Sequence, residues 1–262
     1  MDLNLAGRVV LVTGGSKGIG LACAEAFCAE GARVAISSRS QENLAAADRF
    51  LKDRGYTVVT AAADLVQAAA AKGLVAEVGR RLGPIDVLVN SAGAAKRTPP
   101  EQLDADAWHK AMESKYFTYI HAMQAALPEM VRRKRGAIVN IVGQGGKVAS
   151  PSHLPGGSAN AALMLASAGL AAAWGRSGVR VNAINPGTTL TERARNGHEA
   201  EAKRLGITAE EARKQGEQRI PLGRFASPEE IAAVAVFLSS DRASYVTGAV
   251  VPMDGGTAAT VV

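Results

Sequence analysis

The stretch "RVVLVTGGSKGIG" at residues 8–20 is the most informative part of the sequence, because it joins an apolar run directly to a glycine-rich turn. The run at 9–12 contains only valine and leucine, which is typical of a strand buried on both faces of a parallel sheet. Gly14, Gly18 and Gly20 follow at a spacing that permits a tight turn and leaves free amides at the start of a helix. Such a strand–turn–helix unit binds phosphate groups, so the stretch predicts a nucleotide site.

Six further apolar runs follow, and each is rich in valine, isoleucine or alanine. They read "ARVAISSR" (32–39), "YTVVTAAADL" (56–65), "IDVLVNSAG" (85–93), "AIVNIVG" (137–143), "VRVNAINPG" (179–187) and "AVVPMDGG" (249–256). Stretches that fit helices, such as 20–31 and 159–175, lie between them. The alternation predicts an α/β fold with a doubly wound, seven-stranded parallel sheet and right-handed crossovers. A chain of 262 residues suits a single domain spanning 1–262.

The polar segment 188–225 interrupts this alternation with many charged residues and no strand pattern. Long polar insertions after the carboxyl end of a strand commonly act as lids over an active site, and we expect a lid here. The alternative is a solvated helical hairpin that takes no part in binding.

The bulk composition excludes several classes of protein. It is 47% hydrophobic and 21% charged, as in an average soluble protein, and no apolar run is long enough to span a membrane. The net charge of +6 includes the run "VRRKRG" at 131–136, but no aromatic residues accompany it, so we expect no nucleic-acid partner. The first residues lack a basic leader, and Cys23 and Cys28 fit helix thiols better than a disulfide or metal site. We therefore expect a cytoplasmic protein without a metal.

The end of the second predicted strand indicates which dinucleotide the site would take. A site selective for NAD usually has an acidic residue there that accepts hydrogen bonds from the ribose 2′-hydroxyl. This chain has Ser38 and Arg39 instead, and Lys17 adds a second cation from the glycine turn. A hydroxyl and a guanidinium would bind a 2′-phosphate, so the pattern predicts NADP(H) in preference to NAD(H). The alternative is a surface arginine at a strand end.

Four motifs together resemble the short-chain dehydrogenase/reductase family over essentially the whole chain. They are "TGGSKGIG" (13–20), "NSAG" (90–93), "NPG" (185–187) and "GRFASPEEIAAVAVFLSSDRASYVTGAVVPMDGG" (223–256). The resemblance implies a Rossmann-type fold, a nicotinamide cofactor, a small-molecule substrate and a homotetramer or homodimer. Motifs and resemblance together give these candidate cofactor contacts: Gly14, Ser16, Lys17, Gly18, Ile19, Gly20, Ser38, Arg39, Asp64, Leu65, Asn90, Ala92, Gly93, Pro186, Gly187 and Thr191.

The same resemblance exposes a departure at the catalytic positions. The family holds its substrate carbonyl with a serine and protonates it with a tyrosine, which a lysine and an asparagine support. Here Gly143 takes the serine position, Gly156 the tyrosine position, Asn160 the lysine position and Lys115 the asparagine position. The family's usual mechanism therefore cannot run. Because lysine and asparagine are exchanged, an ammonium could still reach the nicotinamide ribose from the other helix.

The remaining proton donors near these positions are few. Lys115, His153 and Asn160 form the candidate catalytic set, with Tyr119 one helical turn beyond Lys115 as a further donor. His153 lies in the predicted loop before Gly156, and an imidazole titrates near neutral pH. Two interpretations stay open. The chain is an NADP(H)-dependent oxidoreductase of the carbonyl reductase or alcohol dehydrogenase type with a non-standard acid/base set, or a catalytically silent NADP(H)-binding sensor or partner subunit. We expect the enzyme.

Overall fold

Seven strands form one parallel sheet in the computed structural model, which describes residues 2–93 and 95–259. The strands are β1 (Val9–Thr13), β2 (Arg33–Ser38), β3 (Val59–Ala62), β4 (Val87–Asn90), β5 (Gly136–Ile141), β6 (Val179–Pro186) and β7 (Val250–Met253). Neighbouring strands pair in parallel in the order β3-β2-β1-β4-β5-β6-β7. The predicted doubly wound α/β fold with a seven-stranded parallel sheet is confirmed.

Helices cover both faces of this sheet. They are α1 (Gly18–Ala29), α2 (Gln41–Lys52), α3 (Ala68–Leu82), α4 (Ala105–Ala111), α5 (Thr118–Arg132), α6 (Leu154–Trp174), α7 (Glu192–Leu205), α8 (Ala209–Gln218) and α9 (Pro228–Ser239). A wider π-helical turn, Met112–Phe117, joins α4 to α5. Helices α7 and α8 fill most of the polar segment 188–225, whose two ends meet where Thr189 and Ala226 form a parallel bridge.

Helix α6 starts earlier than the sequence predicts, at Leu154 instead of 159. Pro155 in its first turn suits a helix N-terminus, because its fixed φ is already helical and that position needs no amide donor. Position 157 has no space for a side chain, because a Cβ there would come within 2.6 Å of the Gly145 carbonyl oxygen. Gly156 therefore lies in the first turn of the helix, and His153, predicted in the loop before Gly156, is the residue that directly precedes the helix.

The core has two layers, because successive strand residues point to opposite faces. On one face the strands pack against α1, α2 and α9, through residues such as Phe27 and Val236. On the other face they pack against α3, α5 and α6, through residues such as Met123 and Leu163. The cofactor and catalytic candidates lie above this core, at the carboxyl ends of the strands, where open parallel sheets bind their ligands.

The two cysteines lie in α1 as predicted, and both are free thiols. Burial raises the pKa of Cys23 to about 12, and burial together with Glu25 raises the pKa of Cys28 to about 11. Both thiols are therefore protonated and unreactive at neutral pH.

A line of buried polar side chains crosses the sheet beneath the candidate site. Thr13 Oγ1 donates to Asn90 Oδ1 at 3.2 Å, and Asn90 Nδ2 donates to Asn140 Oδ1 at 2.9 Å. Asn140 Nδ2 in turn donates to Ser167 Oγ of α6 at 2.9 Å. Hydrogen bonds of this kind are strengthened by the low dielectric of the interior. The line therefore fixes β1, β4, β5 and α6 relative to one another.

Two further properties of the described residues bear on function. None of their helices combines the length and apolarity that crossing a bilayer requires. In the same part of the chain, no group of three or more histidine, cysteine, aspartate or glutamate side chains is arranged to hold a metal ion.

Candidate active site

The glycine turn between β1 and α1 has the geometry of a phosphate cradle. Gly14 and Gly18 have φ values of +68° and +54°, which side chains rarely adopt. A Cβ on Gly20 would overlap the carbonyl oxygen of Gly14, so the helix and the turn can pack this closely only through glycine. Helix α1 starts without a side-chain cap on its first amides, and Lys17 is the residue before it. The turn therefore fits the pyrophosphate of a dinucleotide.

The other residues of this turn complete the cradle. Ser16 is buried and Ile19 is half-buried. The Lys17 ammonium lies 3.2 Å from the Glu192 carboxylate at the start of α7, and both side chains are more than half exposed. The Thr191 methyl group lies beside Gly18, where an added Cβ would be 3.2 Å from it. The polar segment 188–225 thus begins in contact with the glycine turn.

The residues predicted to face the adenosine lie at the ends of β2 and β3. Ser38 ends β2 and is half-buried, with its Oγ accepting a hydrogen bond from the Ser40 amide at 3.3 Å, while Arg39 is exposed. Asp64 accepts a hydrogen bond from the Val66 amide at 3.2 Å and Leu65 is buried. Because β2 and β3 are neighbours, these two pairs of residues lie at adjacent strand ends.

The floor of the groove follows β4. Asn90 is fully buried, with its side chain in the polar line described above, so it supports the floor from below. The backbone of Ala92 lies against Gly14, where an added Cβ would approach within 2.7 Å. Gly93 has a φ of +98° and packs against the backbone of Ser114 in the π-helical turn. Both close contacts bring the groove next to the candidate catalytic residues.

The far wall follows β6. Pro186 is the last residue of that strand, and the Gly187 amide donates to the Met253 carbonyl at 3.0 Å. Thr191 then caps α7, its Oγ1 accepting a hydrogen bond from the Ala194 amide at 3.3 Å. The strand end and the start of α7 therefore border the groove on the side opposite to Ser38 and Arg39.

Lys115 is buried, with only 8% of its surface exposed. Its Nζ donates to Tyr119 Oη at 2.9 Å and to the Ile141 carbonyl at 3.1 Å, and Tyr119 Oη donates to the same carbonyl at 2.6 Å. The predicted sharing of one helix face by Lys115 and Tyr119 is confirmed. Ile141 is the last residue of β5, two residues before Gly143, so the ammonium is held at the carboxyl end of that strand.

Burial and electrostatics change the acidity of this pair. Burial is the main cause that lowers the pKa of Lys115 to about 7, and the positive charge of Arg193 adds to it. Burial also raises the pKa of Tyr119 far above its usual range, so the phenol stays protonated. A lysine with a pKa near neutrality can both hold and release a proton under physiological conditions, as a general acid must.

Asn160 and the glycines lie on the opposite side of the same opening. The Asn160 side chain is 5% exposed, and its Oδ1 is buried without a hydrogen-bond partner among the described residues. Its Nδ2 faces Gly143, where an added Cβ would be 3.1 Å away. Gly143 has a φ of +129°, which disfavours any side chain at that position. A buried carbonyl oxygen without a donor indicates a place for a ligand hydroxyl or amide.

His153 fills the space beside Gly156. A Cβ on Gly156 would overlap Cε1 of the His153 ring and would lie 2.6 Å from its Nε2. The imidazole therefore stands where a larger residue at 156 would place its side chain. Its Nδ1 is buried without a hydrogen-bond partner in the described part of the chain. Burial lowers the pKa of His153, and Arg97, Lys115 and Arg193 lower it further, so the ring is neutral at pH 7.

The structure therefore brings Lys115, His153 and Asn160 to one end of the sheet, next to the glycine cradle. The contributions of Arg193 and Arg97 were not anticipated from sequence. Arg193 lies in the charged segment 188–225, where nothing distinguishes it from the arginines beside it. Only the folded chain shows that its charge reaches Lys115 and His153.

Comparison with known proteins identifies relatives of the whole chain. Residues 14–258 match the sequence model of the family described as Enoyl-(Acyl carrier protein) reductase. D-threitol dehydrogenase from Mycolicibacterium smegmatis is 40% identical over 261 residues, covering 97% of this chain and 94% of that protein. Gluconate 5-dehydrogenase from Gluconobacter oxydans is 35% identical over 253 residues, covering 97% and 95%. The structure of L-sorbose reductase from Gluconobacter frateurii, complexed with NADPH and L-sorbose, is 32% identical, with a TM-score of 0.94 and full coverage of both chains.

Proposed function

Because the chain belongs to the short-chain dehydrogenase/reductase family of oxidoreductases, we propose that it is an NADP(H)-dependent carbonyl reductase or alcohol dehydrogenase with a non-standard acid/base set. The observation that carries the proposal is the buried Lys115 ammonium, held between Tyr119 and the end of β5. Burying a lysine with a pKa of about 7 lowers the stability of the fold. A protein without catalytic activity would gain nothing from this cost.

The preference for NADP(H) rests on charge at the end of β2. Ser38 and the exposed Arg39 lie at the end of β2, and Lys17 lies in the neighbouring glycine turn, so a 2′-phosphate bound at this strand end would meet positive charge. A guanidinium binds a phosphate with two parallel hydrogen bonds, whereas a carboxylate at this place would repel it. The NADPH complex of L-sorbose reductase supports this cofactor class.

The chemistry divides between cofactor and protein. The nicotinamide supplies or accepts the hydride, and the protein must hold the substrate and move one proton. In the reducing direction, Lys115 Nζ holds the proton that neutralises the developing alkoxide, while Tyr119 and the Ile141 carbonyl fix its position. Asn160 orients the substrate through its unpartnered Oδ1, and the neutral His153 ring borders the opening beside Gly156.

We further propose that the segment 188–225 is a lid, since its first turn contacts the glycine turn through Thr191 and Glu192. We also propose that the protein is a homodimer or homotetramer in the cytoplasm. The apolar groove between α5 and α6, with a volume of about 340 Å³, supports a subunit contact.

The test is NADPH oxidation with a panel of aldehydes and ketones, for the wild-type protein and Lys115→Met. We expect steady turnover that Lys115→Met reduces by roughly 10²-fold or more in kcat, with an unchanged Kd for NADPH. Lys110→Met is the matched control, because Lys110 lies on the adjoining helix and its ammonium pairs with Asp106 in solvent. Tight NADPH binding without turnover across the panel would instead identify a catalytically silent binding protein.

A further inference from the structure

An ion pair joins the glycine turn to the segment 188–225. The Lys17 ammonium, from the residue directly before α1, lies 3.2 Å from a carboxylate oxygen of Glu192, the first residue of α7. Next to this pair, the Thr191 methyl group lies beside Gly18, where an added Cβ would be 3.2 Å from it. Within the described parts of the chain, no other acidic side chain pairs with a residue of the glycine turn. The start of α7 is therefore held against the phosphate cradle by one polar and one apolar contact.

The same ammonium is a group that the cradle offers to a cofactor phosphate. Helix α1 begins without a side-chain cap and without an acidic residue in its first turn, so its first amides are open to an anion. Lys17 is the only basic residue in the stretch 13–20, and its charge is a single compact one. If the ammonium bound both anions at once, the Glu192 carboxylate and the phosphate would lie within about 6 Å of each other and repel. Glu192 and a cofactor phosphate therefore compete for one cation.

The ion pair is easily broken. The side chains of Lys17 and Glu192 are 57% and 59% exposed, so the carboxylate can turn into water without disturbing the core. Exposed ion pairs are weak, and displacing this one should weaken the binding of a phosphate by no more than about two- to fivefold. Helix α7 keeps its N-terminal cap in either case, because Thr191 Oγ1 accepts a hydrogen bond from the Ala194 amide. A bound phosphate can therefore take Lys17 from Glu192 without unfolding α7.

We propose that Glu192 is an autoinhibitory residue of the cofactor site, which occupies Lys17 and tethers the first turn of α7 to the glycine turn until a cofactor phosphate takes over the ammonium. The carboxylate lowers the affinity for the dinucleotide, and the phosphate in turn breaks the polar contact that holds the start of the lid. The first turn of α7 thereby responds to the filling of the cradle. This inference rests on the cofactor site and the lid of the proposed function, but it does not depend on turnover.

A double-mutant cycle on NADPH binding tests the competition. Fluorescence titration at about 0.15 M salt gives the Kd of wild type, Glu192→Gln, Lys17→Met and the double variant. We expect Glu192→Gln to strengthen NADPH binding about two- to fivefold, and to have no effect in the Lys17→Met background. The control Glu199→Gln removes the same charge about two turns further along α7 and should leave the Kd unchanged. An equal gain in both backgrounds would mean that Glu192 repels the cofactor directly, and no gain in either would mean that the ion pair does not compete; both results overturn the inference.

Amide hydrogen exchange tests the tether. Lys17 lies outside α7, so Lys17→Met should speed the exchange of the first turn of α7 about two- to fivefold, whereas the control Lys72→Met, at an exposed position of α3, should not. Inorganic pyrophosphate, which carries phosphate charge but no nicotinamide, should speed the same exchange in wild type and not in Lys17→Met. If Lys17→Met exchanges like wild type, or if pyrophosphate leaves the wild-type exchange unchanged, the inference falls.

These measurements separate the inference from the proposed function, because they report binding and exchange and not turnover. If NADPH binds, the double-mutant cycle gives the expected result and no carbonyl compound is reduced, the inference stands while the proposed function fails. If no variant binds NADPH, both fall together.

Discussion

The buried lysine should make the stability of this protein depend on pH in an unusual direction. In the folded state the pKa of Lys115 is about 7, against an ordinary value of 10.5 in the unfolded chain. Between these values the unfolded state binds more protons than the folded state, so the free energy of unfolding rises with pH. Below pH 7 both states carry the charge, and the folded state bears the full cost of burying it.

The size of the effect follows from linkage. Each pKa unit corresponds to about 1.4 kcal/mol, so the contribution of Lys115 should grow by roughly 2–3 kcal/mol from about pH 6 to about pH 9. Lys115→Met removes the titrating group but keeps most of the apolar stem. The variant should therefore be more stable than the wild type at pH 6, and its advantage should shrink steadily as the pH rises.

The assay is urea unfolding at fixed protein concentration, repeated at several pH values for wild type, Lys115→Met and Lys110→Met. The difference between wild type and Lys115→Met isolates this one group from all other titrations. Lys110→Met should show a constant difference, because its partner Asp106 raises the pKa of Lys110 above its usual value and outside this range. A difference between wild type and Lys115→Met that stays constant from pH 6 to pH 9 would refute the burial argument.

Three other perturbations test the cofactor turn, the cofactor preference and the polar line. Gly20→Ala places a Cβ against the Gly14 backbone, so it should lower the free energy of unfolding by roughly 1–3 kcal/mol and abolish most of the NADPH affinity. The control Gly73→Ala, in an open position of α3, should raise the free energy of unfolding by up to about 1 kcal/mol. Equal melting temperatures for the two variants would contradict this expectation. Arg39→Asp should weaken NADPH binding about 10-fold or more and strengthen NADH binding. The control Arg33→Asp, at the opposite end of β2, should change neither affinity. If Arg39→Asp weakened the binding of both cofactors equally, the assignment of Arg39 to the 2′-phosphate would be wrong. Asn140→Leu leaves buried polar groups unpaired and should cost roughly 2–4 kcal/mol in urea unfolding; a loss below 1 kcal/mol would show that the line contributes little.

The sheet could be predicted from sequence because every strand is a short, nearly continuous apolar run that ends in turn residues. The glycine turn was predictable from its spacing, which is typical of a tight turn between a strand and a helix that binds phosphate. The strand ends were harder to predict: within the predicted run 56–65, only β3 at Val59–Ala62 pairs with the neighbouring strand β2. Apolar composition marks a strand, but hydrogen bonding to the neighbouring strand decides its ends.

The start of α6 could not be predicted from sequence. Two adjacent glycines at 156 and 157 normally weaken a helix, and the close packing of Gly157 against the backbone of Gly145 appears only in the folded chain. The contact of His153 with Gly156 follows from that packing. The pair Lys115–Tyr119 was predictable from its spacing alone, whereas the burial that lowers the lysine pKa required the folded chain.

Because of the π-helical turn at Met112–Phe117, a change of one residue in length could reorient Lys115 without altering the sheet. A π-helical turn contains one residue more than the α-helical turn it replaces, and such turns recur at functional sites. Downstream of it, Tyr119 and Met123 are packed in the core and anchor α5 to the sheet. Loss of one residue would restore a regular helix and rotate Lys115 by about 100° relative to α5. A single-codon deletion could thus withdraw the ammonium from the opening, and a single insertion could create it.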